Sequence, residues 1–163
     1  MTALAAPVPP APAEPGRILL VCSSGGHLAQ LVSLSPAWRN LEETWVTLRG
    51  ADSECLLAGR DVVFASGPTN RSVRRALANA VLAWRVIRAQ RPEVILSTGA
   101  ALAVPFFIVG KALRCRVVYV ESLTRIHELS LSGRLVYPLA DAFFVQWPTT
   151  TRARRARFAG ALR

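Results

Sequence analysis

The sequence predicts an α/β fold built on a doubly wound, Rossmann-like parallel sheet. Three observations carry that prediction. Short apolar runs alternate with helical patterns along the chain. The connections between them are short, and no hairpin signal joins two strand-like runs. At 163 residues and 52% apolar content, the chain suffices for one such domain and is too short for two ordinary ones.

The elements follow in order. Ile18–Cys22 is an unbroken apolar run that empties into Ser23-Ser24-Gly25-Gly26, which predicts a first buried strand and a turn. Leu28, Leu31, Val32 and Leu34 recur at helical spacing until Pro36 ends the helix or opens a turn. Glu43–Leu48 is β-branched and aromatic, a second strand. A capping Asp or Ser opens a short helix over residues 52–58, and residues 61–65 form a third strand before Gly67-Pro68. From a cap at Asn70 or Ser72 a helix runs to about Gln90, with Val73, Leu77, Val81, Trp84 and Ile87 on one face. Its arginines suit either an ordinary solvated surface or anionic lipid. Residues 93–97 form a fourth strand, followed at once by Thr98-Gly99 and an almost wholly apolar helix over 100–113. Residues 116–121 form a fifth strand ending on Glu121, a helix spans about 130–139, and residues 142–146 form a sixth strand. The domain is expected over 17–148, between an Ala/Pro-rich arm over 1–16 and an Arg-rich helix or tail over 149–163.

A formal net charge of +10 points to anionic partners. The basic residues lack the aromatic interleaving of a nucleic-acid surface, so nucleic acid is not an expected partner. Cys22, Cys55 and Cys115 are far apart with no metal-ligand spacing, which suits a reducing, cytoplasmic setting. No Asp-x-Asp pair occurs, and neither a metal nor another cofactor is expected. No signal peptide is evident, and the most apolar stretch, residues 100–110, is about half of the ~20 residues that span a bilayer.

Ligands of doubly wound sheets bind beyond the carboxyl ends of the strands. Three features fall there. Ser23, Ser24, Gly25 and Gly26 precede His27 at a predicted helix start, where free N–H groups attract anions; His27 either serves as a general base or packs as a cap. Ser97, Thr98 and Gly99 offer hydroxyls and backbone N–H groups after the fourth strand. Glu121 either holds a substrate hydroxyl, orients His27, or pairs with Arg125. Asn70 and Arg71 either contact a phosphate or cap the basic helix. The turn lacks the Gly-Lys-Ser/Thr of a P-loop and the Gly-x-Gly-x-x-Gly of a dinucleotide site.

Several segments carry a family resemblance: Ser23-Ser24-Gly25-Gly26-His27-Leu28, Pro68-Thr69-Asn70-Arg71, Ser97-Thr98-Gly99-Ala100, Val104-Pro105, Tyr119-Val120-Glu121, Gly133-Arg134-Leu135-Val136-Tyr137-Pro138 and Phe144-Val145-Gln146-Trp147. In this order, across residues 17–148, the chain resembles the PssD/CpsF-type subunits of bacterial polysaccharide glycosyltransferases. These are related to the homologues of asparagine-linked glycosylation protein 14. The resemblance implies the amino-terminal half of a GT-B glycosyltransferase, similar to the acceptor domain of MurG, and active only with a separate nucleotide-sugar-binding subunit. It implies a lipid-linked phosphate acceptor at the Gly-Gly-His turn, with Arg71 and Arg125 nearby, and catalytic roles for His27 and Glu121. Peripheral attachment to an anionic membrane surface, on its cytoplasmic face, is expected through basic and apolar helices. The alternative is a non-catalytic scaffold that recruits and activates the sugar-donor subunit.

Overall fold

In the computed structural model, residues 16–67, 73–150 and 155–161 are described. The strands are β1 (Arg17–Val21), β2 (Glu42–Leu48), β3 (Val62–Ala65), β4 (Val94–Ser97), β5 (Arg116–Val120), β6 (Ala142–Val145) and β7 (Ala156–Phe158). The helices are α1 (Gly26–Ser33), α2 (Ala51–Leu56), α3 (Val73–Gln90), α4 (Ala103–Ala112) and α5 (Leu131–Val136). All strand pairs are parallel, in the order β3-β2-β1-β4-β5-β6-β7. The chain winds outward from β1 to β3, then returns through α3 to place β4 on the other side of β1. The order therefore reverses between β1 and β4, and that is where such sheets open a crevice for ligand.

Two apolar layers sandwich the sheet. Leu19, Val21, Ile95, Val117, Tyr119 and Phe143 face α3, α4 and α5, where Val86, Ile87, Phe106, Phe107 and Val136 are buried. On the other face Ile18, Leu20, Cys22 and Trp45 meet Leu28 and Leu31 of α1 and Trp38 from a single 3-10 turn, Ser35–Trp38. Pro36 thus lies in that turn, where its fixed φ is tolerated. Alternation of side chains along each strand produces both layers from the same apolar runs.

Two expectations are corrected. The apolar helix starts at Ala103 rather than Ala100, because Gly99 and Ala100 both take positive φ (124° and 74°) and turn the chain sharply out of β4. The Arg-rich terminus is not simply a helix or tail, since Ala156–Phe158 adds a seventh strand beside β6. Ala156 packs against the core, and Tyr137 accepts a hydrogen bond from the Arg155 N–H (2.6 Å), which fixes the approach to β7. The sheet consequently runs past residue 148. Pro68, Thr69, Asn70, Arg71 and Ser72 lie outside the described residues, as does the arm up to residue 15.

Candidate active site

His27 and the Thr98-Gly99 turn meet at the crevice between β1 and β4. The chain leaves β1 through Cys22, Ser23 and Ser24, and Gly25 takes φ 80° to start α1. That puts His27 in the first turn of the helix. Its Nδ1 lies 2.9 Å from the Thr98 carbonyl oxygen. A carbonyl only accepts, so Nδ1 carries the proton of this bond, and in the neutral ring Nε2 keeps the lone pair. In return, the Thr98 hydroxyl donates to the His27 carbonyl at 2.7 Å. The ring also rests on Gly99: a β-carbon there would stand 2.7 Å from Cε1 and 3.0 Å from Nδ1 of His27. Gly99 is thus required twice, by its φ of 124° and by this contact.

The hydroxyls of the Ser97-Thr98 turn serve the fold. Both residues are fully buried. Ser97 Oγ accepts from the Gly99 N–H (3.1 Å), and Thr98 Oγ1 is held by His27. They shape the turn rather than offering groups to a ligand, which corrects their assignment as acceptor-binding residues.

The Gly25-Gly26 turn also differs from expectation. Its leading donor, the Gly25 N–H, is bonded to the Asp52 carboxylate of α2. A phosphate at that position would meet a carboxylate already in place, which counts against Gly25 as the phosphate seat. Asp52 is the residue that sequence reasoning missed. It is the second residue of α2, at a position that reads as a cap. Ser53 performs that local duty instead, accepting from the Gly50 N–H (3.0 Å) and donating to Leu48 O (2.9 Å). Asp52 is left to reach across to Gly25, a contact over 27 residues of sequence.

Glu121 is a further correction. It is wholly buried just after β5. One oxygen accepts from the Ser122 N–H (3.0 Å), the other from the Ser130 N–H (2.9 Å) and hydroxyl (3.1 Å). Ser130 is the N-cap of α5, accepting from the Gly133 N–H at 2.9 Å. The carboxylate therefore fastens the start of α5 to the end of β5, and it bonds neither His27 nor open space. Its main chain is engaged as well: the Glu121 carbonyl accepts from Gln30 of α1 (3.1 Å), and its N–H donates to Phe144 O (2.8 Å).

A buried hydroxyl lies between Glu121 and the His27 turn. Tyr119 Oη stands 3.3 Å from Ser130 Oγ, and also 3.3 Å from the β-carbon position of Gly99. Burial pushes its phenol well above the ordinary range, with the Glu121 charge adding to the effect. Tyr119 thus stays a neutral hydrogen-bonding group. Arg125 is exposed on the loop after β5, close enough for its charge to act on Tyr119 in the opposite sense. Cys22 is buried below the turn and its thiol is pushed up to about 12, which makes it a core residue rather than a nucleophile.

One outer face is unusual. On α3, Val73, Leu77, Val81 and Trp84 are 76%, 64%, 53% and 48% exposed, although they form one helical stripe. The opposite side of α3 supplies the buried Asn79, Ala83, Val86 and Ile87. Arg74, Arg85 and Arg88 are exposed near the stripe, and the Arg88 guanidinium lies 5.4 Å from the centre of the Trp84 ring. Among the described residues, no helix is long and apolar enough to cross a membrane.

Comparison with known proteins agrees with this architecture. The solved MurG of Acinetobacter baumannii superposes with a TM-score of 0.71 at 13% identity, over 87% of this chain and 45% of that one. UDP-N-acetylglucosamine 2-epimerase of Rickettsia bellii gives a TM-score of 0.73 at 10% identity, over 91% and 45%. At such identities the likeness is one of fold, and this chain spans less than half the length of either. The UDP-N-acetylglucosamine transferase subunit ALG14 of Eremothecium gossypii is 35% identical, over 91% of this chain and 80% of that protein. The human protein of the same description is 27% identical, over 84% and 78%. The model of the family described as "Oligosaccharide biosynthesis protein Alg14 like" matches residues 59–162. With that match and the extended identity to the Eremothecium gossypii protein, the chain belongs to the Alg14-like family of oligosaccharide biosynthesis proteins.

Proposed function

We propose that this chain is the acceptor-binding, membrane-associating subunit of a two-chain GT-B glycosyltransferase. It acts in the synthesis of lipid-linked oligosaccharides or polysaccharides and works from the cytoplasmic face of the membrane. The observation that carries the reading is the reciprocal His27–Thr98 pair at the point where the strand order reverses. It fixes an imidazole with Nδ1 protonated and Nε2 ready to accept a proton. In the reaction, an acceptor hydroxyl gives its proton to Nε2 while its oxygen attacks the anomeric carbon of a UDP-sugar. The bond from that carbon to the UDP oxygen breaks, and UDP leaves with the electron pair.

The relatives' description as transferase subunits supports a separate donor-binding partner. Glu121 acts in this reading as a positioning residue, because its carboxylate is spent on Ser122 and Ser130. The apolar stripe of α3, with arginines beside it, supports contact with an anionic bilayer.

The test is a sugar-transfer assay from UDP-N-acetylglucosamine to a prenyl-diphosphate-linked acceptor, using this chain co-purified with its donor-binding partner. His27→Gln is expected to lower kcat by roughly 10²–10⁴-fold, the range for loss of a general base. Near-normal turnover in that variant would remove the base assignment and favour the scaffold alternative. Full activity of either chain alone would remove the two-chain model.

A further inference from the structure

The start of α1, which carries His27, would ordinarily attract the phosphates of a lipid-linked acceptor. We infer that it takes the acceptor's sugar instead, and that Asp52 is the specificity-determining residue. The Asp52 carboxylate bars phosphate from the Gly25-Gly26 turn and holds a hydroxyl of the sugar beside His27. This inference rests on the acceptor-binding reading above and names the chemical group that the turn recognises.

The carboxylate is built into the turn from outside it. Helix α1 has no acid in its first turn, and no side chain caps it at Gly25. Asp52 comes instead from α2, beyond the neighbouring strand β2, and one of its oxygens accepts from the Gly25 N–H. Its other oxygen, Oδ1, takes no hydrogen bond among the described residues. A β-carbon on Gly50 would stand 2.8 Å from that Oδ1. Since the φ of Gly50 is −173°, which any residue adopts, room for the carboxylate is what asks for glycine there. Ser53 already bonds the Gly50 N–H at the start of α2, so Asp52 is not held there for that purpose.

Gly26 has no comparable duty in the fold. It lacks a positive φ, and a β-carbon there would meet nothing within 4 Å. Bare backbone at the mouth of a crevice is what a closely approaching ligand requires. The surroundings decide which ligand. A phosphate oxygen only accepts hydrogen bonds and is negatively charged, so beside Asp52 it meets repulsion and finds the leading N–H already taken. A sugar hydroxyl donates, and its bond to a carboxylate is charge-assisted. A second hydroxyl of the same ring is then the one that gives its proton to His27 Nε2. The seat therefore suits an uncharged sugar and rejects one that presents a phosphate or carboxylate to the turn.

The test is steady-state sugar transfer to a prenyl-diphosphate-linked sugar by this chain co-purified with its partner, with inorganic phosphate as inhibitor against the acceptor. Asp52→Ala should raise the acceptor KM roughly tenfold or more, as for the loss of a charge-assisted hydrogen bond. It should also lower the Ki of phosphate roughly tenfold, because the helix start is freed and the repulsion removed. A turn that is merely loosened would bind the acceptor less well and gain nothing for phosphate. Asp52→Asn keeps an acceptor for Gly25 but not the charge, and should show smaller changes of the same sign. Gly50→Ala keeps every polar group yet displaces the carboxylate, and should reproduce both effects of Asp52→Ala; it carries the test if Asp52→Ala does not fold. Glu54→Gln removes a charge from the same turn of α2, where Glu54 pairs with Arg49 (2.9 Å), and should change neither constant. If either the KM or the Ki stays at its wild-type value when the carboxylate is removed or displaced, the proposal is overturned. Continued transfer by the wild-type complex and its loss in His27→Gln would then leave the acceptor-binding reading standing. If the wild-type complex transfers no sugar to any prenyl-diphosphate-linked acceptor, that reading falls too.

Discussion

His27 and Thr98 are bonded to each other twice, each through one side chain and one backbone carbonyl, across the boundary between β1 and β4. The carbonyl of Thr98 sets the tautomer of the imidazole, while the hydroxyl of Thr98 sets the start of α1 that carries it. Neither residue can move without loosening the other. Thr98→Val keeps the carbonyl and the buried shape but removes the hydroxyl bond. It is expected to lower kcat roughly fivefold with a much smaller change in KM, consistent with about 1 kcal/mol of lost positioning. Steady-state kinetics of the two-chain complex checks this.

Glu121 and Gly133 give a prediction about stability. A β-carbon at Gly133 would stand 2.3 Å from Glu121 Oε2, an impossible approach. Gly133→Ala should therefore destabilise the protein by about 1–3 kcal/mol through overpacking. Glu121→Ala should cost about 3 kcal/mol, because buried donors of Ser122 and Ser130 lose their acceptor. Denaturant unfolding monitored by circular dichroism measures both.

Asp141 gives the fold an acid limit. Its carboxylate takes the Lys111 ammonium (2.8 Å) and the Val117 N–H (2.8 Å), tying α4 and β5 to the start of β6. The Lys111 hydrogen bond foremost holds its pKa below the ordinary carboxylate value, with Val117 and Arg116 adding to it. Because the folded value is the lower one, the stabilisation is complete above the ordinary pKa near 3.8. It is lost as pH falls from there through the folded value. Wild type should lose its advantage over Asp141→Asn in that acid window, and melting temperatures of the two proteins against pH would show it.

The α3 stripe predicts a surface that can be changed without harming the fold. Leu77 and Trp84 are 64% and 48% exposed. The pair Leu77→Ser and Trp84→Ser should leave stability within about 1 kcal/mol, as for exposed substitutions. Partitioning onto phosphatidylglycerol vesicles should fall at least roughly tenfold, because both side chains lose apolar burial in lipid. Vesicle co-sedimentation measures the second effect and thermal unfolding the first.

Sequence made the inner sheet legible because most of its strands are short apolar runs, while β2 is marked by β-branched and aromatic residues. Ala156–Phe158 could not be read that way: three residues with a central Arg carry neither an apolar run nor a countable alternation. The candidate site shows the same division. His27 and Thr98-Gly99 were visible as features at strand ends, and their meeting follows from the order of strands. Asp52 was hidden because its partner is the Gly25 backbone, and a backbone N–H leaves no trace in residue type. The duty of Glu121 was hidden for a related reason. The donors that its carboxylate accepts from belong to Ser122 and Ser130, and the cue available was the capping serine at 130, which marks a helix start without naming its carboxylate.

The contact between the His27 ring and Gly99 gives the imidazole a second duty as a spacer. Removing the ring would empty the volume above Gly99 and beside the Tyr119 hydroxyl, and a turn with positive φ at both Gly99 and Ala100 would have nothing to lean on. A truncation such as His27→Ala thus deletes a proton acceptor and a wedge together, and its kinetic defect would mix the two. Substitutions that keep the volume isolate the chemistry, which makes a flat side chain of similar size the informative exchange at position 27.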